Sequence, residues 1–171
     1  VPEAIDEWKV ALELDPKYAD AHEALGHVFL DRNDVKKAVQ SFQQALETDP
    51  NRTAVQAAIG DAYSQAEEWT QAISTYEKAL KADPDLKQVY AKLGVAYGEL
   101  NKWDQAITFY KKATAVEPDN AAIWRSLGYA YKERGQKGEA ATAFERYLAK
   151  KPDADDKKQI EDEIDYLKKD K

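Results

Sequence analysis

Five prolines, Pro16, Pro50, Pro84, Pro118 and Pro152, recur at a constant step of 34 residues, and Pro2 alone lies off that ruler. Four glycines, Gly26, Gly60, Gly94 and Gly128, keep the same step. A fixed period of roughly 20–50 residues marks a chain built from stacked copies of one supersecondary unit, each burying its apolar face on the next.

Phasing the chain with proline at position 32 exposes the unit. Position 7 reads Leu25, Ile59, Leu93 and Leu127, and position 8 is always glycine. Position 11 reads Phe29, Tyr63, Tyr97 and Tyr131, position 20 is always alanine, and position 24 reads Phe42, Tyr76, Tyr110 and Phe144. Apolar residues at 4, 7, 8 and 11 keep helical spacing and predict a helix A; positions 17, 20, 21, 24, 27 and 28 predict a helix B. Small residues at 8 and 20 let the two helices approach, and the aromatics at 11 and 24 fill the space beside them. Position 15 (Asn33, Glu67, Asn101, Gly135) is mostly a residue type that tolerates left-handed backbone, so helix A is expected to stop there. Proline at 32 ends helix B, and Asn51, Asp85, Asp119 and Asp153 follow as expected N-caps of the next helix.

In the fourth copy Trp124, Leu127, Gly128 and Tyr131 complete W-x2-L-G-x2-Y, with Ala140 and Phe144 following. This resembles the tetratricopeptide repeat (TPR) family, and the resemblance covers nearly the whole chain. It implies an all-α fold, a right-handed solenoid of antiparallel helix pairs. The expected division is a half repeat at 1–16, repeats at 17–52, 53–86, 87–120 and 121–152, and a capping helix at 153–171.

Val1 falls at position 17, so Ala4, Trp8, Ala11 and Pro16 occupy helix B positions without a helix A before them. The chain therefore reads as a piece of a longer array, and Ala4, Ile5, Trp8 and Leu12 form an apolar stripe through which weak self-association is expected. At the other end position 27 changes from Ala45, Ala79 and Ala113 to Tyr147, so the next helix is expected to dock differently. Ile160, Ile164 and Leu167 give that segment one apolar stripe under a polar outer face, the pattern of a solenoid cap.

The chemistry-bearing motifs fail on geometry. His22 and His27, the only histidines, lie five residues apart, about 140° around a helix, whereas a zinc-protease pair needs four. His22 reads instead as the position-4 aromatic. Asp31-x-Asn33 begins like a calcium loop, but Val35 and Lys36 break it. No catalytic, cofactor or metal site is expected. A net charge of −7 argues against nucleic acid as a ligand, and no apolar run reaches membrane-spanning length. Zero cysteines exclude disulfides and thiolate metal sites, which fits a cytosolic or a periplasmic home.

What remains is a surface. The resemblance implies that positions 2, 5, 9, 12 and 13 of the A helices face a concave groove. These are Asp20, Glu23, His27, Leu30 and Asp31, then Ala54, Ala57, Asp61, Ser64 and Gln65. In the third and fourth copies they are Gln88, Ala91, Val95, Gly98 and Glu99, then Ala122, Arg125, Tyr129, Lys132 and Glu133. The expected groove is acidic at its first end and carries Arg125, Tyr129 and Lys132 at its last. The lysine, asparagine and arginine pairs with which one TPR subclass grips chaperone C-termini are absent from positions 5 and 9. The sequence therefore points to a non-enzymatic scaffold binding a peptide or helix of another protein, basic or amphipathic in character. Its alternatives are an accessory module of a larger enzyme and a self-assembling array.

Overall fold

The structure is a computed structural model that describes the backbone of residues 2–169 and the side chains of residues 7–169. The described residues form ten helices and no strand: α1 (Pro2–Leu14), α2 (Ala19–Asp31), α3 (Val35–Thr48), α4 (Thr53–Gln65), α5 (Trp69–Ala82), α6 (Val89–Glu99), α7 (Trp103–Val116), α8 (Ala121–Glu133), α9 (Lys137–Lys150) and α10 (Lys157–Lys169). Even-numbered helices from α2 to α8 are the A helices and α3 to α9 the B helices. The chain divides into two compact units, Val1–Val89 and Tyr90–Lys171.

The same local chemistry ends every A helix. Asn33, Glu67, Asn101 and Gly135 all have positive φ, between 56° and 75°. The next amide then reaches back to the position-11 carbonyl: Asp34 N to Phe29 O, Glu68 N to Tyr63 O, Lys102 N to Tyr97 O and Gln136 N to Tyr131 O, at 2.8–2.9 Å. This is the Schellman closure, which satisfies carbonyls the helix end leaves open. Helix B ends where the residue before proline turns extended, at φ −135° for Asp49 and Asp83 and −136° for Lys151.

The expected caps Asn51 and Asp119 are not used. Helices α2, α4 and α8 have Tyr18, Arg52 and Asn120 at the N-cap, with no capping side chain. In the turns before α2, α4 and α6 the aspartate that precedes the proline makes a local bond. Asp15, Asp49 and Asp83 each accept a hydrogen bond from the amide two residues on, at 3.0–3.2 Å. The proline ring fixes the intervening backbone, so the residue before it reaches that amide first.

In the first unit α2 packs on α3, α3 on α4, and α4 on α5. A Cβ on Gly26 would stand 2.5 Å from the Phe42 ring, and one on Gly60 would stand 2.5 Å from Tyr76. Ala38, Phe42, Ala45, Val55, Ala58, Ile59 and Ala62 form one buried cluster. Trp8 and Leu12 of α1 are half-buried, with the Trp8 ring 6.4 Å from Tyr18. Val1 and the side chains of Ala4 and Ile5 lie outside the described residues.

In the second unit Gly94 and Gly128 stand in the same relation to Tyr110 and Phe144, at 2.6 Å. Helix α10 closes the last repeat: Ile160, Ile164 and Leu167 share a buried cluster with Ala140, Ala141, Phe144 and Tyr147. The Tyr147 hydroxyl donates to Asp156 Oδ1, and Arg125 Nη2 lies 2.7 Å from Asp156 Oδ2. The tyrosine at position 27 thus anchors the start of the cap. Burial and the adjacent carboxylate push the Tyr147 phenol up to about 12. The hydrogen bond from Tyr147, helped by Arg125, holds the Asp156 carboxyl below the usual carboxylate range.

Gly60→Ala is expected to cost about 1–3 kcal/mol through overpacking, which outweighs roughly 1 kcal/mol of helix propensity. Gly138→Ala, with nothing within 4 Å of the new Cβ, should gain up to about 1 kcal/mol. Urea unfolding midpoints of opposite sign check both. Glu67→Gly should raise stability by about 0.5–1 kcal/mol by relieving left-handed strain, while Glu67→Ala gains nothing. Asp156 contributes stability that is complete above its unfolded value near about 3.9 and is lost as pH falls through its lower folded value. The unfolding midpoints of wild type and Asp156→Asn should therefore differ at pH 6 and draw together as pH falls below about 3.9; a gap independent of pH would contradict this account.

Candidate functional site

On the A-helix face of the first unit Asp20 and Glu23 are not free. Arg52, at the N-cap of α4, gathers three carboxylates: its Nη2 lies 2.5 Å from Asp20 Oδ1, its Nη1 2.7 Å from Glu23 Oε2 and its Nε 3.2 Å from Asp49 Oδ2. Hydrogen bonds to Glu23 and Asp20 push the guanidinium further from deprotonation. Three carboxylates against one guanidinium still leave a formal −2 here, with the Asp20 side chain 55% exposed. Asp31 adds a further exposed charge.

In the first, second and fourth copies position 9 meets the position-24 aromatic, and the contact follows the type of ring. Where that aromatic is phenylalanine, a ring stands edge-on to it: His27 to Phe42 and Tyr129 to Phe144, both at 5.0 Å. Where it is Tyr76, the hydroxyl donates to Asp61 Oδ1 at 2.6 Å and lies 3.1 Å from Ser64 Oγ. Burial, then the neighbouring Asp61, pushes the Tyr76 phenol up. Tyr110, facing the exposed Val95 helix, has its phenol pushed up to about 12 by burial and hydrogen-bonds Ser126.

The remaining first-unit residues divide. Gln65 Nε2 donates to Leu30 O at 3.1 Å and Asn33 Oδ1 at 2.8 Å, tying α4 to the turn after α2. Ala57, expected in the groove, is buried at 6% exposure, because position 5 there packs under neighbouring helices. Gln88 is exposed. His22 is buried and its Nε2 lies 3.0 Å from Pro16 O. A carbonyl only accepts, so Nε2 carries the proton. Trp124 makes the same contact from the same position, Nε1 to Pro118 O at 2.9 Å. His22 therefore stands in the position-4 aromatic's place, while His27 is exposed.

In the second unit Val95 and Glu99 are exposed, but the cations of α8 are already paired. Arg125 lies against Asp156 and over the Tyr129 and Tyr147 rings, at 5.6 and 6.0 Å. Lys132 Nζ lies 2.8 Å from Glu163 Oε2, which holds its ammonium more firmly protonated. The cationic end expected from positions 5 and 12 is thus neutralised by the residues of the cap. Sequence reasoning missed Arg52 because position 34 reads Tyr18, Arg52, Leu86 and Asn120, with no shared type to signal a role. Among the described residues no group of three or more histidine, aspartate or glutamate side chains is arranged to hold a metal ion, and no helix is long and apolar enough to cross a membrane.

Comparison with known proteins agrees with this geometry. Tetratricopeptide repeat profiles match residues 29–95 and 91–155, and a TPR repeat profile matches residues 1–31. A crystal structure of MamA superposes with a TM-score of 0.81 at 26% identity, covering 86% of each chain. YrrB, described as a TPR protein with an unusual peptide-binding site, gives 0.77 at 17% identity, covering 95% of this chain and 93% of its own. PilW, a type IV pilus biogenesis factor, gives 0.77 at 21% identity over 94% of this chain and 74% of its own. Among curated proteins none matches this sequence. With the repeat consensus in register, helices paired through a glycine at every copy and profiles covering residues 1–155, this chain belongs to the tetratricopeptide repeat family, and its fold is the all-α solenoid of that family.

Proposed function

We propose that the chain is a non-enzymatic scaffold that binds a peptide or helical segment of a partner protein along its A helices, with a basic or amphipathic segment at α2 and α4. TPR proteins bind other proteins, and the peptide-binding site of the structurally similar YrrB supports this reading. The observation that carries it is the cluster around Arg52. It keeps two carboxylate charges in excess on a half-exposed surface that the buried core does not require. Such a surface draws in a basic segment and fixes its register. The binding units in this reading are the repeats at 17–52, 53–86, 87–120 and 121–152, with 153–171 closing the array. Weak self-association through the α1 stripe of Ala4, Ile5, Trp8 and Leu12, where Trp8 and Leu12 are half-buried, belongs to the same proposal.

The test is capture of a partner on the immobilised chain, identification by cross-linking mass spectrometry, and titration against Asp20→Asn/Asp31→Lys. Affinity should fall about tenfold at low salt, chiefly through the on-rate, and the difference should shrink as salt rises. Unfolding should change by no more than about 0.5 kcal/mol, since both residues lie outside the core. An unchanged affinity would place the partner elsewhere.

A further inference from the structure

A second surface lies on the other side of α8. At 100° per residue, Trp124, Leu127 and Tyr131 face away from Arg125, Tyr129 and Lys132. With Ala143 of α9 they wall a cleft of about 440 Å³, within the range of side-chain and small-ligand pockets. Its two flanking threonines spend their hydroxyls inward, Thr114 on Lys111 O and Thr142 on Gly138 O. Trp124 is pinned by its bond to Pro118 O. Gly138, with nothing within 4 Å of a Cβ position, leaves the mouth open, and Lys111 and Glu139 stand on opposite rims.

The chain itself shows what fits there. One repeat earlier, position 23 is Phe109 where the cleft has Ala143. The Phe109 ring stacks on Tyr97 with centroids 5.5 Å apart and an interplanar angle of 9°. It lies 6.4 Å from Tyr90, and the Lys112 ammonium sits 5.1 Å from its centroid. Tyr97 and Tyr90 occupy positions 11 and 4, as do Tyr131 and Trp124 in the cleft. The cleft is thus the Phe109 site without its phenyl group. Two repeats earlier the same positions line a cleft of about 410 Å³, but Gln43, Gln56, Ser74 and Thr75 make it polar. In the fourth repeat Trp124 and Tyr131 supply two rings and Ala143 an apolar floor, whereas position 23 is the polar Ser41 in the first repeat and Thr75 in the second.

We propose that this cleft is a second interaction site, distinct from the A-helix face, which receives one aromatic side chain from a partner protein segment. The ring lies parallel on Tyr131 as Phe109 lies on Tyr97, against Trp124 and Leu127. An acidic residue of the segment faces Lys111 and a basic one faces Glu139. Stacking geometry, in addition to area, favours an aromatic over an aliphatic occupant.

The test uses the 171-residue chain and two synthetic probes, N-acetyl-Asp-Phe-Lys-amide and its leucine counterpart, titrated by 1H–15N NMR. The phenylalanine peptide should shift the Trp124 indole N–H and the amides of residues 127, 131 and 138–143. It should bind about fivefold or more tightly than the leucine peptide. Ala143→Phe, which restores the missing ring, should abolish those shifts. Gly138→Leu should do the same from the open mouth without entering the core. Each variant is first checked for cooperative unfolding; if Ala143→Phe does not fold, Gly138→Leu decides. Equal affinity for both peptides, shifts confined to the A-helix face, or undiminished binding by the folded variants would overturn the proposal. So would shifts at residues 124–143 that depend on protein concentration without peptide, since the occupant would then be a second copy of the chain.

Discussion

Each repeat depends on one contact, the face of a position-8 glycine against a position-24 ring. A methyl group on Gly26, Gly60, Gly94 or Gly128 would stand 2.5–2.6 Å from that ring, closer than any side chain tolerates. The contact brings helices A and B together and buries Phe42, Tyr76, Tyr110 and Phe144 at 0–6% exposure. It also reaches the surface. The far end of the ring meets position 9, so phenylalanine draws an edge-on aromatic and tyrosine draws Asp61. In the third copy Tyr110 turns its hydroxyl to Ser126, and Val95 at position 9 stays exposed.

Helix α10 meets the fourth repeat differently from the way one repeat meets the next. Tyr147 fills the place where alanine would admit the next helix closely, and its hydroxyl then needs a partner, which Asp156 supplies. Arg125 completes the arrangement from α8, and Lys132 reaches Glu163 on α10. The cap is therefore held by a buried stripe and by two charge pairs drawn from residues that would otherwise face a ligand. On the second unit's A-helix face Arg125 and Lys132 are taken up in this way, and Glu99 and Glu133 remain exposed.

How far the chain could be read in advance depended on whether a feature repeats. Helix identity, the pairing of A with B, the left-handed residue at position 15 and the apolar stripe of α10 all follow from periodicity, because packing imposes the same demand at each copy. Even Glu67, a poor residue for positive φ, obeys position 15, since the Schellman closure fixes its backbone. His22 was legible as a stand-in for the position-4 aromatic for the same reason, and Trp124 shows the shared carbonyl contact.

Side-chain pairing between copies was not legible, because its partners sit about thirty residues apart at positions that vary freely. Nothing in the sequence joins Arg52 to Asp20 and Glu23, or Lys132 to Glu163; the stacking angle between helices brings them within reach. Likewise Asp15, Asp49 and Asp83, each before a proline, hold their turns, because the ring's fixed backbone decides which amide is near. The sequence by itself determined the fold, through a steric demand repeated every 34 residues. Only the tertiary structure decided which surface charges are spent internally and which remain for a partner, because that balance rests on distances no periodicity encodes.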